Sequence, residues 1–293
     1  MSDVTIRRMR PEDVPGAERL TAVGYHDLET RMQRRSAPEP ELRPASRGAS
    51  WVARTLHLLE TDPGGSWVAE DGTGMLGVAA SFNREKMWCL ATYAVRPGLQ
   101  GQGLGKALLA AALDHGRGSL RGMISASGDP LAVRRYRAAG FSLHPQMFLS
   151  GTVDRSAIPV VEKVRDGSAG DIDLMDSVDR LTRGAAHGRD HELMLGFGHL
   201  LVSDTTTGSG YAYVDPSGGV ALLAATNRRT ATRLLWAALA ETSSEVPIGH
   251  VTAVNEWAVD VGLAARLDLH QDGYLGLRGM EPPMPYLHNG ALL

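Results

Sequence analysis

The sequence predicts an α/β (α+β) protein built from two tandem repeats, and three observations predict it. A strand, a glycine-rich loop and a helix follow one another between Trp88 and Leu113. A second strand and helix, with their own start and stop signals, run from Met123 to Phe141. The helical run Leu108–Leu113 (LLAAAL) then reappears 126 residues later as Leu234–Leu239 (LLWAAL). A constant shift of that kind marks an internal repeat.

The elements read in order as follows. Val4 to Arg8 alternates as a strand. Arg10-Pro11-Glu12-Asp13 opens a helix that continues to about Tyr25. Residues 31–50, rich in Arg, Pro, Ser and Glu, read as an exposed loop or a loop with a short helix, and Trp51 to Thr61 as a helix. Ser66 to Ala69 and Gly74 to Phe82 form a hairpin around Glu70-Asp71-Gly72-Thr73. Trp88 to Val95 is an apolar strand that stops at Arg96-Pro97. The loop Gln100–Gly105 follows, then the helical run Lys106–Leu113. Met123 to Ala126 is a short strand. Asp129 caps the next helix and Pro130 suits its first position. Ala132, Val133, Tyr136 and Ala139 fall on one side of that helix, and Gly140 stops it. Phe141 begins another strand, and Met147 to Val153 is the last strand of the first repeat.

Bulk properties narrow the function classes. The chain has 293 residues, 43% hydrophobic and 22% charged, as expected of a soluble globular protein with room for two domains. A net charge of −3 gives no electrostatic case for nucleic acid or an anionic membrane. The one cysteine, Cys89, excludes an intrachain disulfide and reads as a small core residue. No apolar run reaches the length of a membrane span, and the first residues lack a signal core. A cytoplasmic protein is expected.

The glycine loop carries the chemistry. Gln100, Gly101, Gly103 and Gly105 stand at the mouth of a helix, where backbone N–H groups and the positive helix end attract an anion. A P-loop is excluded because Ala107 follows Gly105-Lys106, and a dinucleotide fingerprint because Lys106 takes the place of the third glycine. The pattern present is Q-x-x-G-x-G, Gln100 to Gly105. Downstream, Asp129 to Phe141 reads D-P-L-A-V-R-R-Y-R-A-A-G-F.

Together these stretches resemble motifs A and B of the GCN5-related N-acetyltransferases (GNAT superfamily). The resemblance implies a mixed, mostly antiparallel central sheet flanked by helices in each repeat. It implies acetyl-coenzyme A as co-substrate, with no metal. Its pantetheine arm would lie along Tyr93, Ala94 and Val95. Its pyrophosphate would lie on Gln100, Gly101, Gln102, Gly103, Leu104, Gly105 and Lys106. Tyr136 would protonate the departing thiolate. The acceptor would be a primary amine, read here as a small molecule, attacking the thioester directly. Alternatives are a mycothiol-synthase-like tandem acetyltransferase and a non-catalytic acyl-coenzyme A sensor. Glu85, His26, Asp27 and Glu29 are the acids and histidine near the expected reaction centre, and none is singled out as the base. Homo-oligomerisation is left open.

The repeat divides the chain into a catalytic domain, 1–155, and a degenerate one, 160–293. The shift maps Asp129 onto Asn255 and Ala132 onto Ala258. It also maps Gln100 onto Thr226, Gly103 onto Arg229, Gly105 onto Ala231 and Tyr136 onto Gly262. Without glycines the second loop should not seat a pyrophosphate, so one cofactor site is expected. His187 and His191, with Asp190 and Glu192 nearby, read as a polar helix face rather than a metal set, since Leu195 breaks H-E-x-x-H. The proline-rich stretch 281–293 reads as a tail without regular structure. Leu293 is weighed as a carboxylate donor to an active site and set below a packed or disordered tail.

Overall fold

A computed structural model describes residues 4–33, 39–216, 218–242 and 245–293. Its elements are β1 (Thr5–Arg8), α1 (Val14–Met32), α2 (Ala45–Thr61), β2 (Ser66–Asp71), β3 (Gly74–Arg84), β4 (Met87–Val95), α3 (Leu104–His115), β5 (Arg121–Ala126), α4 (Pro130–Ala138) and β6 (Ser142–Thr152). They continue with β7 (Arg165–Asp166), α5 (Ile172–Thr182), α6 (Asp190–Leu195), β8 (His199–Thr205), β9 (Gly208–Val214), β10 (Val220–Ala225), α7 (Arg228–Glu241), β11 (Glu245–Thr252), α8 (Glu256–Ala264), β12 (Asp268–Arg278) and β13 (Tyr286–Leu287). This is the mixed α/β architecture that the sequence predicts. No helix among the described residues is long and apolar enough to cross a membrane.

The contacts divide the chain into two compact units. The first comprises Met1–Asn83, Trp88–Leu120 and Asp129–Ala139. Its strands are ordered β1-β2-β3-β4, with β1–β2 and β2–β3 antiparallel. Arg7 reaches Asp13 at 2.6 Å and Glu70 at 2.7 Å, joining β1 to β2 and to the turn before α1. Met9, Val14, Ala17, Trp51, Val68 and Val78 form a buried cluster under α1 and α2. The loop expected over 31–50 is shorter than the sequence suggests. Pro44 fixes the start of α2, and the helix already runs through Ala45 to Ser50. Arg43 reaches Glu18 of α1 at 2.8 Å, so the start of α2 is tied to α1 by a long-range contact that periodicity does not report. Positions 34–38 of that expected loop lie outside the described residues.

The second unit comprises Arg84–Met87, Arg121–Gly128 and Gly140–Leu293. Its strand order is β5-β12-β6-β11-β10-β9-β8-β7, with β13 also on β10. β10 and β11 run parallel, and the other pairs described in this unit are antiparallel. Two strands from early in the chain, β5 and β6, therefore share a sheet with late ones. β12 lies between β5 and β6, and β6 lies between β12 and β11. The repeat is visible in the element bounds. α8 and β12 begin and end 126 residues after α4 and β6. The core of this unit gathers Leu149 and Val153 with Leu223, Leu234, Leu235, Val251 and Trp257, among others.

Gly273 marks where β12 meets β5. The register against β6 shifts between Asp272 and Tyr274, and a Cβ on Gly273 would collide with the carbonyl oxygen of Ala126. Neighbouring backbone cannot yield as the tip of a side chain can. Gly273→Ala should therefore lower stability by about 1–3 kcal/mol, read as a lower urea midpoint with an unchanged slope.

Candidate active site

β4 delivers Tyr93, Ala94 and Val95 to the glycine loop, and α3 leaves it. Gly101 and Gly103 both hold positive φ, +82° and +92°, the left-handed region that glycine enters without strain. A Cβ on either would meet no protein atom within 4 Å, so the loop faces open space. Gly103 is the N-cap of α3 and supplies no side chain to the helix. Among the described residues, the backbone N–H groups of residues 103–106 donate to no other protein group. Free N–H groups at an uncapped helix start suit an anion.

Three of the loop's expected ligand residues have another task. Gln100 accepts from the Gly98 N–H at 2.9 Å and donates to the Val95 carbonyl at 3.3 Å, so its side chain fixes the loop's shape. Gln102 reaches back to the Gly98 carbonyl at 3.5 Å. Gly105 serves an internal contact, because a Cβ there would collide with the hydroxyl of Tyr93. Lys106 lies exposed in the first turn of α3.

Tyrosines gather beside this loop. Asp129 accepts from the Leu131 N–H at 2.8 Å and caps α4, which presents Tyr136, 5% exposed. The rings of Tyr93 and Tyr136 are 6.1 Å apart. Burial, then the neighbouring Tyr93, Tyr25 and Asp129, push the Tyr136 hydroxyl well above its ordinary pKa, so it stays protonated. Burial likewise pushes Tyr93 up to about 12. α1 packs on β4 close enough that a Cβ on Gly24 would stand 4.0 Å from that of Ala94. Tyr25, next along α1, stands under the guanidinium of Arg43, which lies 5.8 Å from its ring centroid.

A family model described as the acetyltransferase (GNAT) family matches residues 28–141, the stretch that holds the loop, Tyr93 and Tyr136. This stretch is a GNAT acetyltransferase domain. The fold of nearly the whole chain recurs in a solved structure described as a putative acetyltransferase from Pyrococcus horikoshii, at TM-score 0.74 and 18% identity, over 99% of this chain and 95% of that one. It recurs in a tandem GNAT protein from the clavulanic acid biosynthesis pathway, at TM-score 0.58 and 13% identity, over 94% and 98%. A GCN5-related N-acetyltransferase from Sphaerobacter thermophilus aligns at TM-score 0.59 and 16% identity, over 94% and 95%. No curated protein sequence matches the chain.

The second unit differs at the loop, cap and tyrosine positions that the repeat relates. α7 begins at Arg228, two residues before the point that the shift from α3 would give. Its N-cap, Asn227, accepts from the Thr230 N–H at 3.0 Å, so the helix start is closed by its own side chain. Gly262, opposite Tyr136 in the repeat, is a packing residue, since a Cβ there would stand 2.6 Å from a methyl of buried Leu149. Asn255 is buried and does not cap α8 with its side chain. It instead donates to Thr252 and to the Pro283 carbonyl, and accepts from Trp257 and the Tyr286 N–H. These bonds help explain why the stretch 281–293 is packed and not irregular throughout. Tyr286 and Leu287 pair with β10, and Leu292 and Leu293 are buried.

The acids near the expected centre are engaged elsewhere. Glu85 sits in the β3–β4 turn, paired with Arg180 at 2.7 Å and accepting from the Ala186 N–H at 2.9 Å. Asp27 pairs with Arg31 at 2.9 Å. His26, Asp27 and Glu29 all lie on α1, not on a loop.

Sequence reasoning missed a buried polar cluster in the second unit. His187 and His191 are fully buried, which overturns the polar helix face expected of them. Asp179 lies 2.7 Å from His187 Nδ1 and 3.2 Å from His191 Nε2, and accepts from the Tyr211 hydroxyl at 2.5 Å. Arg183 donates to His187 Nε2 and to the Leu293 carbonyl oxygen. The donor atoms of Asp179, His187 and His191 fall within 4.8 Å of one another, a spacing that a cation would fit. The proton count points another way. A guanidinium only donates, so Nε2 of His187 is an acceptor and its ring proton sits on Nδ1, facing Asp179. A metal-bound histidine directs its other nitrogen to an acceptor, the reverse of this arrangement. Burial pushes the Asp179 carboxyl up, but His187, His191 and Arg183 outweigh it and hold it well below the carboxylate range. Burial and then Arg183 hold His187 down to about 4. The signal available in the sequence was the four-residue spacing of Asp179, Arg183, His187 and His191, too general to separate a buried network from a polar face. Asp179→Asn would remove the buried carboxylate that His187, His191 and Tyr211 share and should cost about 3–5 kcal/mol by urea denaturation.

Proposed function

We propose that this protein is an acetyl-coenzyme A-dependent N-acetyltransferase that acetylates a primary amine of a small-molecule acceptor. The observation that carries the reading is the uncapped start of α3 behind two open, left-handed glycines. Residues 1–155 supply the donor-binding groups, and residues 160–293 form a degenerate repeat whose equivalent helix start is closed by Asn227.

The loop fits a pyrophosphate. The N–H groups of Gly101 to Lys106 would hold it, with the positive end of α3 behind them. Backbone along Tyr93, Ala94 and Val95 would hold the pantetheine arm. Acetyl-coenzyme A, when bound, supplies an acetyl thioester open to attack by an amine. Holding donor and acceptor side by side removes the entropy cost of their encounter. Tyr136, kept protonated by burial, donates its proton to the leaving sulfur.

Two measurements test this. Gly103→Arg should abolish acetyl-coenzyme A binding by calorimetry while retaining a native far-ultraviolet spectrum. Binding that survives in a folded Gly103→Arg protein would remove the loop from the site. Tyr136→Phe should lower kcat by about 100-fold or more with a much smaller change in acetyl-coenzyme A affinity. An unchanged kcat would show that Tyr136 is not the acid.

A further inference from the structure

Arg54 has no use in the transfer chemistry, and its surroundings are unusual for a cation. It projects from α2 beside the Trp51 ring, 6.0 Å from guanidinium carbon to ring centroid. Its Nε is shielded from solvent and has no hydrogen-bond partner. Among the described residues no carboxylate pairs with it. The groups that act on its charge are Tyr25 and a second cation, Arg43. Arg43 also stands over Trp51, at 5.7 Å, and over Tyr25, at 5.8 Å, but its charge is met by Glu18 at 2.8 Å. Burial lowers the Arg54 pKa to about 10, and Arg43 pushes in the same direction.

A guanidinium whose Nε is shielded from water and which no acid meets is costly to the fold, and replacing such a charge by an apolar side chain commonly stabilises a protein. A group that is unfavourable for folding and sits at a reaction centre points to a ligand that completes it. The position is suggestive. Arg54 and Arg43 share the Trp51 ring, Arg43 also stands over Tyr25, Gly24 beside Tyr25 packs on Ala94 of β4, and the neighbouring Tyr93 ring lies 6.1 Å from that of Tyr136. The planar guanidinium fork matches an oxyanion held by two parallel hydrogen bonds.

We propose that Arg54 binds an oxyanion of the acceptor, so that the natural acceptor is an amine that also carries a carboxylate or phosphate. This rests on the transferase reading above and narrows its substrate class. The anion would seat on Arg54 over the Trp51 ring. That leaves the amine, some atoms away on the same small molecule, directed towards Tyr93 and Tyr136. No bond changes at Arg54, so it is a positioning and specificity residue.

The test is a matched amine series with coenzyme A thiol release as readout. It contains β-alanine and γ-aminobutyrate, 2-aminoethyl phosphate, the neutral amide of β-alanine, and propylamine. The wild-type protein should favour the acidic amines, and the carboxylate and phosphate arms identify which oxyanion is preferred. Arg54→Met should cut kcat/KM for the favoured acidic amine by about 100-fold, mainly through KM, with Arg54→Lys in between. Thermal melting supplies the structural control, with Arg54→Met melting at or above the wild-type temperature. Turnover of all amines without preference for an anion, or a preference that survives Arg54→Met, would overturn the inference and leave the transferase reading intact. Calorimetry of the same amines on the coenzyme A-loaded protein separates the two readings further. Anion-dependent binding that requires Arg54, without thiol release from any amine, would support the anion site and overturn the transferase. A melting temperature several degrees lower in Arg54→Met with unchanged selectivity would make Arg54 a structural residue.

Discussion

The first turn of an α-helix has N–H groups that no residue of that helix can satisfy, and the sequence before it decides what does. In α3 the preceding residues are glycines, held in the left-handed region, and no side chain turns back to cap the helix. The internal contacts of the loop support that opening. Gln100 braces it from beneath, and Gly105 lets the Tyr93 hydroxyl come close to the helix without blocking its N-terminus. Polar groups that elsewhere would cap a helix are used here to keep a helix start exposed.

The second unit resolves the same constraint in the opposite way. Asn227 satisfies α7 locally, Gly262 brings α8 against β6, and Asn255 ties the tail to the start of α8. At each of these positions the second unit serves its own capping or packing. The polar density of this unit has moved inward, to Asp179 and the arginine, histidines and tyrosine around it. In that cluster the Asp179 carboxylate is met by two histidines and a tyrosine hydroxyl, which is how a protein interior tolerates charge at all.

Much of the fold was legible because its signals are local. The Asp129 cap, Pro130 at the first helical position and Gly140 with φ of +88° stand where the residue types place them. The repeat shift reproduces the bounds of α8 and β12. What stayed hidden depends on partners distant in sequence. The early start of α2 rests on Arg43 meeting Glu18, and the tail's order rests on Asn255. Tyr25 and Arg54 carry no motif, and come together only because α1 and α2 both pack beside β4 and its neighbours. His187 and His191 were misread because their spacing fits a helix surface as well as a buried network, and burial itself leaves no mark on two histidines four apart.

The placement of β12 has a consequence for how the protein is made. Gly122 of β5 pairs with Arg278 of β12, and Ser142 of β6 pairs with Leu277, so these early strands wait for partners half a chain away. On a ribosome, β5 and β6 emerge long before β12 exists, and their hydrogen-bonding edges stay open in the interval. Non-local pairing of this kind slows folding and exposes strand edges to neighbouring chains. Slow synthesis of the second half, or high local concentration of nascent chains, therefore favours pairing between molecules in place of pairing within one.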